Sequence, residues 1–395
     1  MSLAKPSRIM WLSIGLVLLV IGCTLTSGTP RTETFQPFPS PFAPTVPPIQ
    51  NTAIVKVTVK FIMDQPLTDH SGGVEGLAFS PDGKILASIY KNGKIILWDV
   101  TTHQSIQSFT GGGETGGFGT MLGFVFSPDN KFLATKANGV APVLWDVANG
   151  QTIEVERGLN HSDRMALSSD GKLLAYGKCE ELNSWSHCTQ YEIALWDVDT
   201  HQLVGQPLSF HPGAAAPLGL LFSPDNKTLA VMSSGTTGSG KIELFNVVTR
   251  QPIEAPLGGE VQFSSMAFSP DGDFMALGRI GGVIDIWNVK SHEVISELRG
   301  ETSIVTSVIF SPNGKMLASR ILVPSTEDLP HEKIVLWDTG SFQAIGQPLT
   351  SPSTVGSEVG LISIAFSPDS MTLASGTDQG AIILWDLATK DPQGP

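Results

Sequence analysis

The sequence predicts an all-β fold assembled from one unit used seven times. Three observations predict it. The 395 residues hold 41 Gly and 27 Pro but only 15% charged residues, too much turn chemistry for a mainly helical chain. A serine-containing turn motif recurs seven times, and so does a strand that ends on an aromatic residue. The charge balance, 24 basic against 37 acidic residues for a net −13, argues against a nucleic-acid partner, whose phosphates need clustered Lys and Arg. Three cysteines are too few for a disulfide scaffold or a four-thiolate zinc site.

The chain opens with Lys5 and Arg8, and Ile9 to Gly22 follows without a charge. That run reaches about 21 Å, short of the roughly 30 Å hydrocarbon core, so residues 1–22 read as a secretory signal rather than a spanning helix. It ends Val20-Ile21-Gly22-Cys23, which resembles the lipobox of bacterial lipoproteins. The resemblance implies cleavage before Cys23 and acylation of its thiol. Two or more acyl chains anchor stably, at about 0.8 kcal/mol per buried methylene. An ordinary cleaved signal peptide or a short uncleaved anchor is the plainer alternative. Residues 23–50 then form the lipidated Cys and its stalk, because Thr24 to Gln50 carries seven prolines amid Ser and Thr and has no means to build a core.

Residues 51–395 hold the repeats. The first element appears as Phe79-Ser-Pro-Asp-Gly-Lys84 and Phe126-Ser-Pro-Asp-Asn-Lys131, with Leu167, Phe222, Phe268, Phe310 and Phe366 opening the other five copies. Pro presets φ for the first corner and Asx or Gly tolerates the positions after it, so each copy is a hairpin turn. The second element is Leu97-Trp98-Asp99 and its equivalents, which place Trp98, Trp145, Trp196, Phe245, Trp287, Trp337 and Trp385 once per repeat. Burying such a ring stabilises by roughly 1.5–3 kcal/mol, and one per repeat suits a seam between stacked sheets.

These motifs resemble the WD-repeat family, whose repeat folds as a four-stranded antiparallel blade of a β-propeller. The resemblance covers Asn51 to Ala388 and implies a seven-bladed, monomeric propeller that assembles protein partners without catalysis. Departures from the family pattern are clear. Only His70 keeps the spacing of the family's Gly-His pair, with Asp69 in place of Gly, and Asn92, Gly139, Gln190, Ser239, Gly281, His331 and Gln379 stand where the family favours Asp. The family's His–Ser/Thr–Asp–Trp hydrogen-bonded tetrad is therefore expected to be missing from every blade. Residues 387–395 make a poor outer strand, while Ala53 to Ile62 is a strand without a blade. It leads to Gln65-Pro66-Leu67, which echoes Gln206-Pro207-Leu208 and Gln347-Pro348-Leu349, so the N-terminal strand is expected to complete the last blade.

With strands a to d in each blade, the a–b and c–d turns share one face of the disc and the b–c and d–a connections share the other. From the turn motif to the Trp or Phe the repeats measure 19, 19, 29, 23, 19, 27 and 19 residues, so length varies on the b–c/d–a face, as recognition surfaces do. The longest insertion holds Cys179, Glu180, Glu181, Trp185 and Cys188. Two cysteines nine apart in an exported chain most simply pair, closing about ten residues for roughly 2.7 kcal/mol. A metal reading through Cys179, His187 and Cys188 lacks a fourth ligand. Trp185 either folds back onto the disc or contacts a partner, and Glu180 and Glu181 favour a basic one.

Other motifs carry no chemistry. Gly235 to Lys241 resembles a phosphate loop, but Ile242 replaces the required Ser/Thr and a strand follows it. His103, His201 and His292 recur at one c–d position and read as exposed turn residues; the Asp residues of the a–b turns read as turn formers. No nucleophile elbow or zinc-protease helix is present in the sequence. The leading reading is a non-enzymatic protein-interaction scaffold or sensor, lipid-anchored on the outer side of a bacterial cell membrane or in an outer membrane, with no cofactor and no metal. The alternative is a small-ligand receptor or enzyme that uses the central channel.

Overall fold

The computed structural model describes residues 60–61, 67–68, 72–110, 123–136, 142–155, 161–182, 188–209, 217–234, 240–253, 257–258, 261–300, 304–323, 331–351 and 360–387. The chain divides into two units, Met1–Ile49 and Gln50–Pro395, and every described residue belongs to the second. The secretory run, Cys23, the proline-rich stretch, Asp69, His70 and Trp185 lie outside the described residues.

Seven antiparallel sheets and no helix make up the described part of the chain. Blade 1 runs Val74–Phe79, Ile85–Tyr90, Lys94–Asp99, Ser105–Thr110, and blade 2 Gly123–Phe126, Phe132–Lys136, Val143–Asp146, Thr152–Glu154. Blade 3 is His161–Leu167, Leu173–Leu182, Cys188–Asp197 and an outer strand in two pieces, Gln202–Leu203 and Leu208–Ser209. Blade 4 is Pro217–Phe222, Thr228–Ser234, Gly240–Asn246, Leu257–Gly258, and blade 5 is Phe263–Phe268, Phe274–Arg279, Val283–Asn288, Glu293–Arg299. Blade 6 is Ile304–Phe310, Met316–Val323, His331–Asp338, Ala344–Leu349. Blade 7 takes Leu361–Phe366, Thr372–Thr377 and Ala381–Asp386 from the end of the chain. Strand a of every blade borders strand a of the next, and the seventh borders the first. The fold is a seven-bladed β-propeller.

Closure follows the sequence expectation. Lys60 and Phe61 pair with Asp386 and Trp385, and Leu67 and Thr68 pair with Ile382 and Ala381, so the outer strand of blade 7 comes from the start of the propeller. At the inner edge the Ser363 hydroxyl donates to the Val74 carbonyl at 2.8 Å. The ring is therefore tied at both its axis and its rim.

One core cluster fills each of the seven seams between blades. Trp98 packs on Ile382 and Leu384 of blade 7, and Trp337 on Ile284, Ile286 and Leu298 of blade 5. All seven motif aromatics are at most 6% exposed, so the motif aromatic of each blade anchors it to the blade before.

The turn motif has a second use that the sequence alone does not reveal. In every copy the buried serine hydroxyl donates to the Asx residue two places on, as from Ser80 to Asp82 at 2.7 Å and from Ser311 to Asn313 at 2.8 Å. The same hydroxyl accepts the N–H that opens strand b, for example Ile85 N at 2.9 Å. Successive turns also meet across the seams. A Cβ added at Gly83, Gly272 or Gly314 would stand 3.6–3.7 Å from the ring of Pro368, Pro224 or Pro270 of the preceding blade, and one at Gly171 would meet Pro128. Where the glycine is replaced, a side-chain acceptor takes over. Asn130 accepts from Asp82 N (3.3 Å), Asn226 from Ser169 N (2.7 Å), and Ser370 from Asn313 N (3.0 Å). These three replacements hold φ of 59–63°, the left-handed region that Asn tolerates best after Gly. Four Pro–Gly contacts and three hydrogen bonds thus account for all seven junctions on that face.

Candidate functional site

The two faces differ in kind. On the a–b/c–d face the Asp or Asn after the aromatic caps the c–d turn in blades 1 to 6: Asp99 Oδ1 accepts from Thr101 N (2.9 Å) and Thr102 N (2.6 Å), and Asn288 Oδ1 from Lys290 N (3.0 Å) and Ser291 N (2.8 Å). A carboxylate and an amide oxygen serve equally there, which explains Asn246 and Asn288. The Thr102 and Thr200 backbone N–H groups hold Asp99 and Asp197 below the ordinary carboxylate range. The turn-forming role expected of the a–b aspartates is what the geometry displays.

On the opposite face three b–c hairpins project among the described residues. In blades 1 and 5 the b–c ladder ends at Ile89↔Ile95 and Gly278↔Ile284. In blade 4 it continues to Ser234↔Gly240, in blade 6 to Val323↔His331, and in blade 3 to Leu182↔Cys188. Blade 3 projects furthest, with irregular register between Cys179, Glu181 and Leu182. Cys179 and Cys188 are joined there by a disulfide, their Cα atoms 5.7 Å apart. Glu180 and Glu181 lie on the strand of that arm. Trp185, the aromatic of that loop, falls outside the described residues.

Charged pairs are built into this side of blades 5 and 6. The Arg279 guanidinium donates through Nε (2.5 Å) and Nη2 to Asp285 Oδ2; burial nevertheless pushes the Asp285 carboxyl up, against the pull of Arg279. Arg320 Nε lies 3.0 Å from Glu332 Oε2 and donates to Thr306 Oγ1 at 2.8 Å. Burial raises Glu332 and lowers Arg320, and the nearby Asp378 charge raises Glu332 further. Each acid faces an arginine on the adjacent strand, an arrangement that ties strands together. Among the described residues no three His, Cys, Asp or Glu side chains converge as a metal site, and no helix is long and apolar enough to cross a membrane.

One expectation about the blade interiors needs refinement. The tetrad is not wholly missing, because its Ser/Thr–Trp half survives in four blades. Trp98 Nε1 donates to Ser88 Oγ (2.8 Å), Trp145 to Thr135 (2.7 Å), Trp337 to Ser319 (2.9 Å) and Trp385 to Ser375 (2.8 Å). In blades 3, 4 and 5 the same site holds buried Tyr176, Val231 and Leu277. A signal existed: the site always lies eight residues after the turn serine, as Ser88 follows Ser80. The c–d histidines are turn residues as expected, His201 exposed and His103 and His292 half-buried. The rings of His201 and His292 stack on Trp196 and Trp287 at 5.4 and 5.3 Å, presented by a left-handed backbone with φ of 58° and 60°.

The architecture defines a class, the seven-bladed β-propeller, and parts of the sequence are similar to WD-repeat proteins. The family described as "WD domain, G-beta repeat" matches residues 63–99, 292–319 and 350–386. The chain is 28% identical over 134 residues to the Periodic tryptophan protein 2 homolog of Neurospora crassa, covering 34% of this chain and 13% of that protein. It is 33% identical over 129 residues to the WD repeat-containing protein SL1-17 of Schistosoma mansoni, covering 32% and 40%. It is 27% identical over 207 residues to Telomerase protein component 1 of Rattus norvegicus, covering 51% and 7%. The matched part is thus between 7% and 40% of each relative's own length. These matches show that parts of the chain are similar to WD-repeat proteins.

Proposed function

We propose that the chain is a non-enzymatic scaffold that holds a protein or peptide partner on the b–c/d–a face of its propeller. The similarity to WD-repeat proteins supports the scaffold class, and the observation that carries the choice of face is the projection of the blade 3, 4 and 6 hairpins from one side only. Trp185 is the principal contact, because an aromatic in a loop closed by Cys179 and Cys188 offers large buried area at low entropic cost. Glu180 and Glu181 select a basic partner surface. The comparison that tests this is Trp185→Ala against His103→Ala on the opposite face, each used to capture partners from solubilised envelope. Loss of partners with Trp185→Ala alone supports the reading; loss with His103→Ala alone puts recognition on the other face.

The finer part of the proposal is display on the outer side of a bacterial membrane through acyl groups on Cys23. The uncharged run Ile9 to Gly22 directly before that cysteine supports it. Cys23→Ala leaves the precursor uncleaved and without label from a radioactive fatty acid; label persisting on the variant rules the anchor out.

A further inference from the structure

Among the described residues, the b–c ladders of six blades run without a break, and that of blade 3 does not. Its pairing is regular from Leu173↔Asp197 to Cys179↔Tyr191. Leu182↔Cys188 then returns to the same register, three residues on along one strand and three back along the other. Between these pairs Glu181 is opposite Gln190, so the ladder skips Glu180 on one strand and Thr189 on the other. These are two bulges, one per strand, and they cancel. The same ends therefore fit an unbulged ladder, with Glu180 opposite Gln190 and Glu181 opposite Thr189.

The disulfide chooses between the two registers. In an unbulged ladder Cys179 and the position opposite Cys188 lie three residues apart, and so on opposite faces of the arm. Three residues also separate the cysteines by about 10 Å along the strands, beyond the roughly 7 Å between Cα atoms that a disulfide can bridge. The observed Cα separation is 5.7 Å. The bond thus fits the bulged ladder and excludes the regular one. Both cysteines are half-buried, which leaves the bond open to a thiol from solvent.

We propose that Cys179–Cys188 is a redox-sensitive lock on the register of the blade 3 arm, opened by a dithiol. One thiolate of the reductant attacks one sulfur of the bond, forming a mixed disulfide and releasing the other cysteine as a thiolate that takes up a proton. The second thiolate of the reductant displaces the remaining cysteine, which is protonated in turn, and the dithiol leaves as a disulfide. Two electrons pass to the chain. With the link gone the bulges merge into a regular ladder, which gains a pair, and Glu181 exchanges Gln190 for Thr189. A one-residue change of register carries a position to the other face of its strand. Reduction therefore moves position 181, one of the two acidic positions assigned to the recognition surface. That consequence rests on the reading of this face given above; the change of register does not.

Disulfide trapping on the full chain reads the register with no partner present. In a Cys179→Ser, Cys188→Ser background, Glu181→Cys is combined with either Thr189→Cys or Gln190→Cys. The link formed on mild oxidation is mapped by mass spectrometry, and melting temperatures compared with the parent confirm folding. The combination with Thr189→Cys is expected to link at least about tenfold faster than that with Gln190→Cys. The reverse preference overturns the proposal, because the bulges then persist without the bond. In the parent chain, dithiothreitol should change hydrogen exchange in peptides spanning residues 178–192 and nowhere else, and reoxidation should restore it. Unchanged exchange overturns the proposal. Faster exchange throughout the seams of blade 3 also overturns it, by making the bond a staple of the fold. Equal capture of partners from solubilised envelope in both redox states, with the register moved, overturns the role in recognition.

Discussion

Blades 1, 2, 6 and 7 and blades 3, 4 and 5 bury the same aromatic at the same seam by different means. In the first group an indole N–H is taken into the core and met by a Ser or Thr hydroxyl on strand b. In the second group the facing position is Tyr176, Val231 or Leu277, and the aromatic packs in an apolar cluster as it does in the first. Phe245 brings no N–H that needs an acceptor. Trp196 and Trp287 gain a stacked histidine from the next turn. The lesson is that the polar partner is optional and the seam is not: what every blade keeps is one large ring packed on its neighbour.

Substitutions at the facing position probe this difference most strongly. Leu277→Ser places a hydroxyl opposite Trp287 but removes a buried side chain, and should destabilise by about 2–5 kcal/mol in urea unfolding. A neutral result would mean that the two groups are interchangeable. Ser319→Ala leaves the buried Trp337 N–H without its acceptor, at a cost of about 1–3 kcal/mol, while Ser319→Thr restores most of it. Loss of less than about 0.5 kcal/mol in Ser319→Ala would remove the polar group from the comparison.

Stacking is the smaller effect. His292→Ala should cost about 1 kcal/mol, and His292→Gly should recover part of that, since glycine adopts φ of 60° freely. If Gly and Ala cost the same, backbone strain at this turn is negligible.

Acid sensitivity is the weakest probe, because the groups are exposed. Hydrogen bonds from Ser80, Ser127, Ser223 and Ser269 hold Asp82, Asp129, Asp225 and Asp271 below their ordinary range. A folded value below the unfolded one of about 3.9 contributes stability that is complete above that pH and lost as pH falls through the folded values. Asp285 and Glu332, raised by burial, act oppositely: their contribution is present at low pH and disappears as pH rises through their folded values. Replacing the four turn aspartates by Asn, as Asn313 already does in blade 6, should flatten the loss of stability below about pH 4 while the chain still folds at pH 7.

Much of the fold could be read from the residues because the repeat carries its own ruler. The turn serine and the aromatic recur within each blade, and Gln65-Pro66-Leu67 betrayed the shared strand by matching Gln206 and Gln347. Contacts between blades were harder to see. Pro368 meets Gly83 across the ring closure, and Ser169 meets Asn226 over 57 residues, so no local pattern links them. The Ser88–Trp98 bond is set by distance from the turn serine, eight residues after Ser80. No fixed spacing before the tryptophan marks it, since Ser319 lies eighteen before Trp337 and Ser88 ten before Trp98. Loop lengths identified the face with projecting hairpins, because the inserted residues lengthen the b–c ladders of blades 3, 4 and 6.

Lysines on both faces allow the central claim, recognition on the b–c/d–a face, to be tested in one measurement. Lys94, Lys178, Lys241 and Lys333 lie toward the b–c connections, whereas Lys84, Lys131, Lys172, Lys227 and Lys315 follow the a–b turns. Lysine-reactive crosslinking in the native envelope, read by mass spectrometry, should join a partner through Lys178 and Lys241 and leave the turn lysines unlinked to it. A partner crosslinked through Lys84, Lys131, Lys172, Lys227 or Lys315, with Lys178 and Lys241 unlinked, would contradict the account.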